Sequence, residues 1–400
     1  MLRFVLRTHR TSPVRAAAVA CAALALLTAS CRDGPTEPPF ELTLAIVPQT
    51  ITGGDGHSCG LAVSGAAYCW GRGDVGQRGD GTNTGTVTAP VAVAGGLLFE
   101  SIHAAGFRTF ALTADGVAYA WGSNAGILGD GTTNTRYVPV RVAGGLTFRQ
   151  LSAGYDHTVA LTAAGVAYEW GFVDGGDPGD GSTTNLRKSP VPVAGGLTFR
   201  DIGAGSGYSV ALTSAGEPYA WGRNTYGQLG DGTTTDHYAP RPVGGSLTAA
   251  RLSVGHAHTV ILTPSGTAYS WGLNGGALGD GTTAERHQPV AVTGGVVFQQ
   301  ITAGAGYTAA LTPFGIAYTW GPNSFGNLGD GTTQTRTTPG IVLGALKFRS
   351  IHIGRNRTLA VTTSGGGYAW GFGGNGERGD GTRTLSQNTP VLILGGLSFR

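Results

Sequence analysis

Seven aspartates each stand alone between two glycines: Asp80, Asp130, Asp180, Asp231, Asp280, Asp330 and Asp380. A second set recurs thirteen residues before each tryptophan: His57, Arg108, His157, Tyr208, His258, Tyr307 and Arg357. Isolated carboxylates invite a calcium or catalytic reading, and three histidines invite zinc. A calcium loop, however, gathers several oxygen ligands from closely spaced residues, and each Gly-Asp-Gly supplies one carboxylate. These residue types suit a turn better, because aspartate accepts a hydrogen bond from the backbone two residues on while glycine takes positive φ. The histidines fall in the first, third and fifth copies of a repeat, never in neighbours. They are therefore too far apart to share an ion at the roughly 2.0–2.1 Å that zinc requires. No nucleophile elbow, phosphate-binding loop or Cys-x-x-Cys pair occurs. The expectation is a protein with no catalytic residue, no metal and no cofactor.

Both sets recur because the chain recurs. Trp70, Trp121, Trp170, Trp221, Trp271, Trp320 and Trp370 are each followed by glycine, at spacings of 51, 49, 51, 50, 49 and 50 residues. A tyrosine stands two residues before each tryptophan and a glycine five before. A fixed period near 50 marks an array of one supersecondary unit, which overrides the two or three domains that length alone would suggest. The third copy reads as four short β segments, LTFRQLSA, HTVALT, VAYEW and PVPVA, punctuated by glycine and proline. No stretch beyond residue 40 holds a 3.6-residue apolar period. The second and third segments join through Thr-Ala-Ala-Gly, and Gly165 and its equivalents suit the positive φ that such a hairpin loop needs. Tyr and Trp two apart share one strand face, so seven pairs would form an aromatic layer between sheets.

Four strands in each of seven copies predict an all-β, seven-bladed β-propeller over residues 50–400. The ends predict its closure. "GGLSFR" at 395–400 is the segment that elsewhere leads into the next copy, and the first copy begins at "TITGGDGHS" without it. Arg400 thus runs in register into Thr50, as Arg149 runs into Gln150, so the N- and C-terminal segments share a blade and leave no new edge. An open solenoid would not need this half-repeat at each end. In such a ring the set from His57 to Arg357 sits near one strand end of every blade, either as internally satisfied groups or as a polar ring around the axial channel.

The recurring "ALT..G..Y.WG.N..GQLGDGT" resembles the repeat of the regulator of chromosome condensation family across about residues 50–400. The resemblance implies the same seven-bladed fold. It leaves function open, since one fold hosts many functions. The family's namesake is a nuclear exchange factor for a small GTPase that also contacts chromatin. Other members cover and inhibit a β-lactamase or sense light through tryptophans. Repeat lengths here barely vary, so no exchange-factor insertion is matched.

The first 30 residues carry Arg3, Arg7, Arg10 and Arg15 and no acid ahead of an Ala/Leu run, as a signal peptide does. Cys31 follows "LTAS" and resembles the lipidated first residue of a bacterial lipoprotein, with threonine in place of the usual leucine three residues earlier. Residues 31–49 then read as a proline-containing tether and lead-in. An ordinary secreted protein and a retained anchor helix are the other readings. Without residues 1–30 the chain holds 22 basic residues against 23 acidic, and only Lys188 and Lys347 are lysines. That balance offers no basic stripe for nucleic acid. Cys59 and Cys69 face each other across the hairpin closed at Val63-Ser64-Gly65. Opposed residues lie within disulfide reach, and an oxidising envelope permits the bond.

Shared residues are the same in every copy, so specificity must lie where copies differ. They differ most between Gly-Asp-Gly and the next proline, which reads as loops offering Arg136, Arg187, Lys188, His237, Arg286, His287, Arg336 and Arg383. The sequence thus reads as a non-enzymatic module that binds a protein or other macromolecule at the bacterial cell envelope. It would be held by lipid, with the outer membrane favoured, or secreted, and inhibition or scaffolding of an envelope enzyme is one version. An enzyme using the channel mouth and a purely structural envelope component are the alternatives. Replacing Cys31→Ser should abolish acyl labelling and release the protein from membranes. Wild-type protein that takes up no label would reject the anchor while leaving secretion open.

Overall fold

A computed structural model describes residues 49–172, 179–182 and 184–400. The expected signal peptide, Cys31 and the tether up to residue 48 lie outside the described residues. In the first repeat β1 (Ile51–Gly53), β2 (His57–Leu61), β3 (Ala67–Arg72) and β4 (Thr86–Ala92) form an antiparallel meander in chain order. Six more four-stranded sheets repeat it, the last ending at Val391–Leu392, and every element among the described residues is a strand. First strands touch their counterparts in adjacent sheets and so ring the axis. Fourth strands lie outermost and half-exposed, which is where the sequence reading needed correction. They begin well before the expected PVPVA, because an outer strand tolerates polar residues, and prolines such as Pro139 and Pro190 fit an edge whose N–H groups face solvent. The result is a seven-bladed β-propeller.

Hairpins between second and third strands turn where glycine permits positive φ. In blade 1 Gly65 has φ 90° and donates its N–H to the Ala62 carbonyl at 2.8 Å. Around the axis glycine serves another end, close approach. A Cβ on Gly54, Gly205 or Gly255 would lie 2.6 Å from a carbonyl oxygen of the next blade, and on Gly154 2.1 Å.

Seven apolar clusters fill the seams between blades. One joins Cys59, Leu61, Ala67 and Cys69 of blade 1 to Ile102, Ala111 and Trp121 of blade 2. All seven tryptophans are fully buried. Each indole lies on the first glycine of the preceding blade's Gly-Asp-Gly: a Cβ on Gly79 would come 2.6 Å from Nε1 of Trp121, and one on Gly129 2.5 Å from Nε1 of Trp170. The indole N–H commonly donates back across the seam, from Trp121 to the Gln77 carbonyl at 3.1 Å and from Trp271 to that of Gln228 at 2.9 Å. Cys59 and Cys69, directly opposed on β2 and β3, are joined by a disulfide inside the first seam. They fill the position that Val210 and Ala220 fill in blade 4.

The ring closes through blade 1. Phe399 bridges Ala62, the Arg400 N–H donates to the Leu61 carbonyl at 3.0 Å, and the Leu61 N–H donates to the Thr50 carbonyl at 2.8 Å. The Thr50 hydroxyl donates to the Arg400 carbonyl at 2.7 Å. Phe399, Arg400, Thr50 and Ile51 therefore succeed one another as Phe348, Arg349, Ser350 and Ile351 do within one unbroken strand. Phe399 is buried in the closing seam with Trp70, Leu359 and Val361, its ring 6.1 Å from that of Trp70. Truncating a buried Phe to Ala typically costs about 3–5 kcal/mol. Phe399→Ala should lower the calorimetric melting temperature far more than Leu397→Ala, whose side chain is only half-buried. Equal small effects would mean that the terminal segment does not hold the ring.

Candidate binding face around the axial channel

The turns from first to second strand and the loops from third to fourth strand share one end of the propeller. The Arg72 N–H, for example, reaches the Gly56 carbonyl at 2.8 Å. Hairpin tips and blade-to-blade connections share the other end, joined by bonds such as Phe99 N–H to the Gly65 carbonyl at 2.8 Å. At the first end, the mouth, residues of all seven blades enclose an axial cavity of about 110 Å³.

The Gly-Asp-Gly loops there are built by their own side chains. In every blade the aspartate Oδ1 accepts the N–H two residues on, from 2.8 Å at Ser182 to 3.1 Å at Thr82. In blade 2 Asn124 accepts the N–H groups of Gly126 and Ile127 at 2.8 and 2.9 Å, and its amide donates to Asp130 at 3.1 Å. Blades 1 and 7 replace this asparagine with Gly73 and Gly373, and there the buried Arg78 and Arg378 take over. Arg78 donates to the carbonyls of Gly71 and Gly85 at 3.2 and 2.6 Å, to Thr82 at 3.0 Å and to Asp80 at 3.0 Å. A Cβ on Gly73 would strike its guanidinium at 2.1 Å.

This chemistry absorbs most of the cations that the sequence offered for binding. Arg136, Arg187, His237, Arg286 and Arg336 lie in the fourth strands and pair with the aspartate of their own blade at 2.5–2.8 Å. Burial alone would raise the pKa of Asp130, Asp180, Asp231, Asp280 and Asp330. The hydrogen bonds from backbone N–H, hydroxyl and cation outweigh it and hold each below the usual carboxylate value. Lys188 and His287 also lie in fourth strands, Lys188 exposed and His287 3.9 Å from Glu285. Arg383 remains in a loop and donates to the Gly374 carbonyl at 3.3 Å. Loops were expected for this whole set because polar residues preceded each proline; the outer strand starts among them instead.

The set thirteen residues before each tryptophan does not line the channel. His57, Arg108, His157, Tyr208, His258, Tyr307 and Arg357 are all buried and absent from the cavity wall. Each reaches across a seam to the next blade. Nε2 of His57, His157 and His258 lies 2.8, 2.9 and 3.0 Å from Thr109, Ser209 and Thr308. Tyr208 donates to the His258 carbonyl at 2.8 Å, Tyr307 lies 3.1 Å from Thr358, Arg108 donates to the Tyr155 carbonyl at 2.6 Å, and Arg357 donates to Ser58 at 2.8 Å. Burial pushes His57 and His157 down to about 3 and His258 to about 4, with Arg357 and Arg78 adding to the effect at His57 and Arg108 at His157. All three are neutral at pH 7.

One buried constellation superficially suggests catalysis. Ser209 and Glu169 both approach His157, at 2.9 and 3.4 Å. They meet the same ring nitrogen, so no relay runs through the imidazole as a serine triad requires. Glu169 also accepts the Trp221 indole N–H at 2.9 Å, and all of these side chains are buried. The cluster is a seam contact. Among the described residues no three His, Cys, Asp or Glu side chains are placed to hold a metal ion.

What breaks the sevenfold pattern at the mouth stands fifteen residues before each tryptophan: Asp55, Gly106, Tyr155, Ser206, His256, Ala305 and Arg355. Asp55 and Arg355 of adjacent blades pair at 3.1 Å. The rings of Tyr155 and His256 meet edge-on, centroids 5.9 Å apart. The Asp55 charge, aided by burial, raises the Tyr155 hydroxyl's pKa, while burial lowers that of His256. Tyr155 and the Arg355 side chain are 40% and 54% exposed, so both can contact a partner. The sequence signal was available: this column varies in chemistry directly after one that is glycine in six of the seven copies, but a fixed motif draws attention away from it.

A profile of the RCC1-like domain matches residues 20–347. The E3 ubiquitin-protein ligase HERC2 of Homo sapiens is 32% identical over 194 residues, 46% of this chain and 4% of the ligase. The probable E3 ubiquitin-protein ligase HERC4 of Homo sapiens is 29% identical over 187 residues, 45% of this chain and 18% of that protein. The chain thus matches a small part of the length of these relatives. Among solved structures, Prp20p of Saccharomyces cerevisiae, described with its binding properties to Gsp1p and histones, matches with a TM-score of 0.72 at 23% identity, over 89% of this chain and 88% of that one. Human WBSCR16 matches with a TM-score of 0.72 at 21% identity, over 83% and 94% of the two chains. At these identities the likeness is one of fold.

The two loop anchors should be exchangeable only as pairs. Gly73→Asn alone should destabilise blade 1 through the clash with Arg78, and Arg78→Leu alone should leave the loop carbonyls unpaired, each by about 1–3 kcal/mol. The double variant Gly73→Asn/Arg78→Leu recreates the spacing of blade 4, where Asn224 and Leu229 stand at these positions and Asn224 accepts the Leu229 N–H, and should recover most of the loss in urea denaturation. Additive losses would reject the equivalence.

Proposed function

This chain belongs to the RCC1-like domain family, and on that premise we propose that it is a protein-binding module whose mouth face meets its partner. The observation that carries this reading is the asymmetric column Asp55, Tyr155, Ser206, His256 and Arg355 on an otherwise repeating scaffold. It offers one ion pair, two aromatic edges and a hydroxyl around a shallow cavity. That is equipment for recognising a folded surface or a chain segment. The protein binding named for Prp20p, to Gsp1p and histones, supports the class of partner without identifying it. The near balance of acids and bases speaks against nucleic acid.

The proposed setting is the bacterial cell envelope, through acylation of Cys31 or by secretion. The arginine-rich start, the apolar run and the cysteine support it. Covering or scaffolding an envelope enzyme is the version we favour, because a rigid disc with one distinctive face suits blocking. A photo-cross-linking residue at position 155 should trap a protein in intact cells, and Arg355→Glu should reduce the adduct. The same probe at position 63, on the opposite end, should trap none of that protein. Adducts confined to position 63 would overturn the assignment of the face.

A further inference from the structure

We propose that the end of the propeller opposite the mouth rests on an anionic lipid surface, through a sector formed by blades 6, 7 and 1. This builds on the proposed anchoring through Cys31 and adds an orientation. The chain joins the propeller at that end: the Gln49 carbonyl accepts the Ile102 N–H at 2.8 Å, Thr50 meets Arg400, and β1 then runs toward the mouth. Seventeen residues separate Cys31 from Gln49. Fully extended they reach about 60 Å, so the tether permits contact and the surface chemistry must select it.

The apolar part of that chemistry is segregated, while arginines recur around this end, with Arg149 and Arg200 placed as Arg349 is. Phe314, at the hairpin tip of blade 6, is 75% exposed, whereas the other tips carry Ser64, Asp115, Ala164, Ala215, Ser265 and Ser364. On the same end Val63, at the tip of blade 1 two blades on, is 63% exposed, and Leu98 beside that tip is 58% exposed. Lys347 and Arg349 lie exposed in the same sector. Arg349 donates to the Phe399 carbonyl, which fixes its charge at this end. The segments that build the sector in blades 6 and 7, residues 312–317, 343–350, 362–366 and 392–399, contain no aspartate or glutamate. The seven Gly-Asp-Gly carboxylates all belong to the mouth end. Glu100, Asp115 and Glu217 are at this end but in blades 1, 2 and 4, with Glu100 paired to Arg400 at 3.2 Å. A projecting phenylalanine with Lys347 beside its hairpin, Arg349 two residues on and exposed aliphatic side chains on the same end matches the headgroup boundary of an anionic bilayer. Among the described residues no helix is long and apolar enough to cross a membrane, so contact would be at the surface.

The test places a reporter at each end of the full chain on vesicles of phosphatidylethanolamine and phosphatidylglycerol with brominated acyl chains. All native tryptophans are buried, so Phe314→Trp adds the exposed one. Its emission should be quenched, while that of Tyr155→Trp at the mouth should not. Lys347→Glu and added salt should each lower the Phe314→Trp quenching, by about threefold or more. The same measurement on Cys31→Ser protein separates the two ideas. Quenching at Phe314→Trp in the Cys31→Ser protein would keep the face whether or not wild-type Cys31 takes up acyl label, which alone decides the anchor. Acylated protein with quenching at the mouth, at both ends or at neither would overturn the face, as would a protein adduct at position 314 without lipid quenching.

Discussion

The contact on which the propeller depends is an indole lying on a glycine. Tryptophan-glycine and glycine-aspartate-glycine are two motifs along the chain, but in space they are halves of one joint, made seven times across seams. The glycine is required twice over: its backbone takes positive φ, and any Cβ would enter the ring system. The joint excludes water from the seam, and the seam holds the apolar clusters. Removing one large buried aromatic costs about 3–5 kcal/mol, against a usual domain margin of about 5–15 kcal/mol. Because each blade contacts only its neighbours, stability is close to a sum over such seams.

A second constraint operates at the mouth. The loops there are long, polar and glycine-rich, which ordinarily means mobility. In blades 1, 2, 4, 5, 6 and 7 an asparagine or an arginine collects their carbonyls and N–H groups, and an aspartate collects what remains. Two unrelated side chains reach the same end from opposite sides of the loop, Asn124 from its start and Arg78 from just before Gly-Asp-Gly. The mouth is thus a stiff rim, and the few side chains that differ between blades are displayed on it at fixed separations.

Much of this was legible in the sequence. The period, the four segments, the positive-φ glycines and the split repeat all follow from spacing and residue type, because steric requirements leave fixed marks. The outer strand's start was less legible, since a half-exposed edge accepts almost any residue. Partners brought together by the fold, within a blade or across a seam, left no mark at all. His57 pairs with Thr109 and Arg136 with Asp130, yet each cation or ring reads equally well as a free binding group until the fold supplies its neighbour. Arg78 and Gly73 could have been read as a coupled exchange for leucine and asparagine, had the two columns been compared together.

Blade 1 is assembled from both ends of the chain, with Thr50 and Arg400 adjacent in one strand. Six blades can find their inner strand within a local stretch of about fifty residues, whereas this one must close a loop that spans the whole ring. Loop closure grows costlier only as the logarithm of length, so the penalty falls on timing more than on final stability. In synthesis or export the first blade emerges earliest and is completed last. Throughout that interval its β2–β3 hairpin has the seam with blade 2 but not the closing one, and it is the hairpin that carries the disulfide. A covalent link at that point keeps the opening repeat in register until residue 400 arrives, so that the ring ends by docking onto a prepared edge.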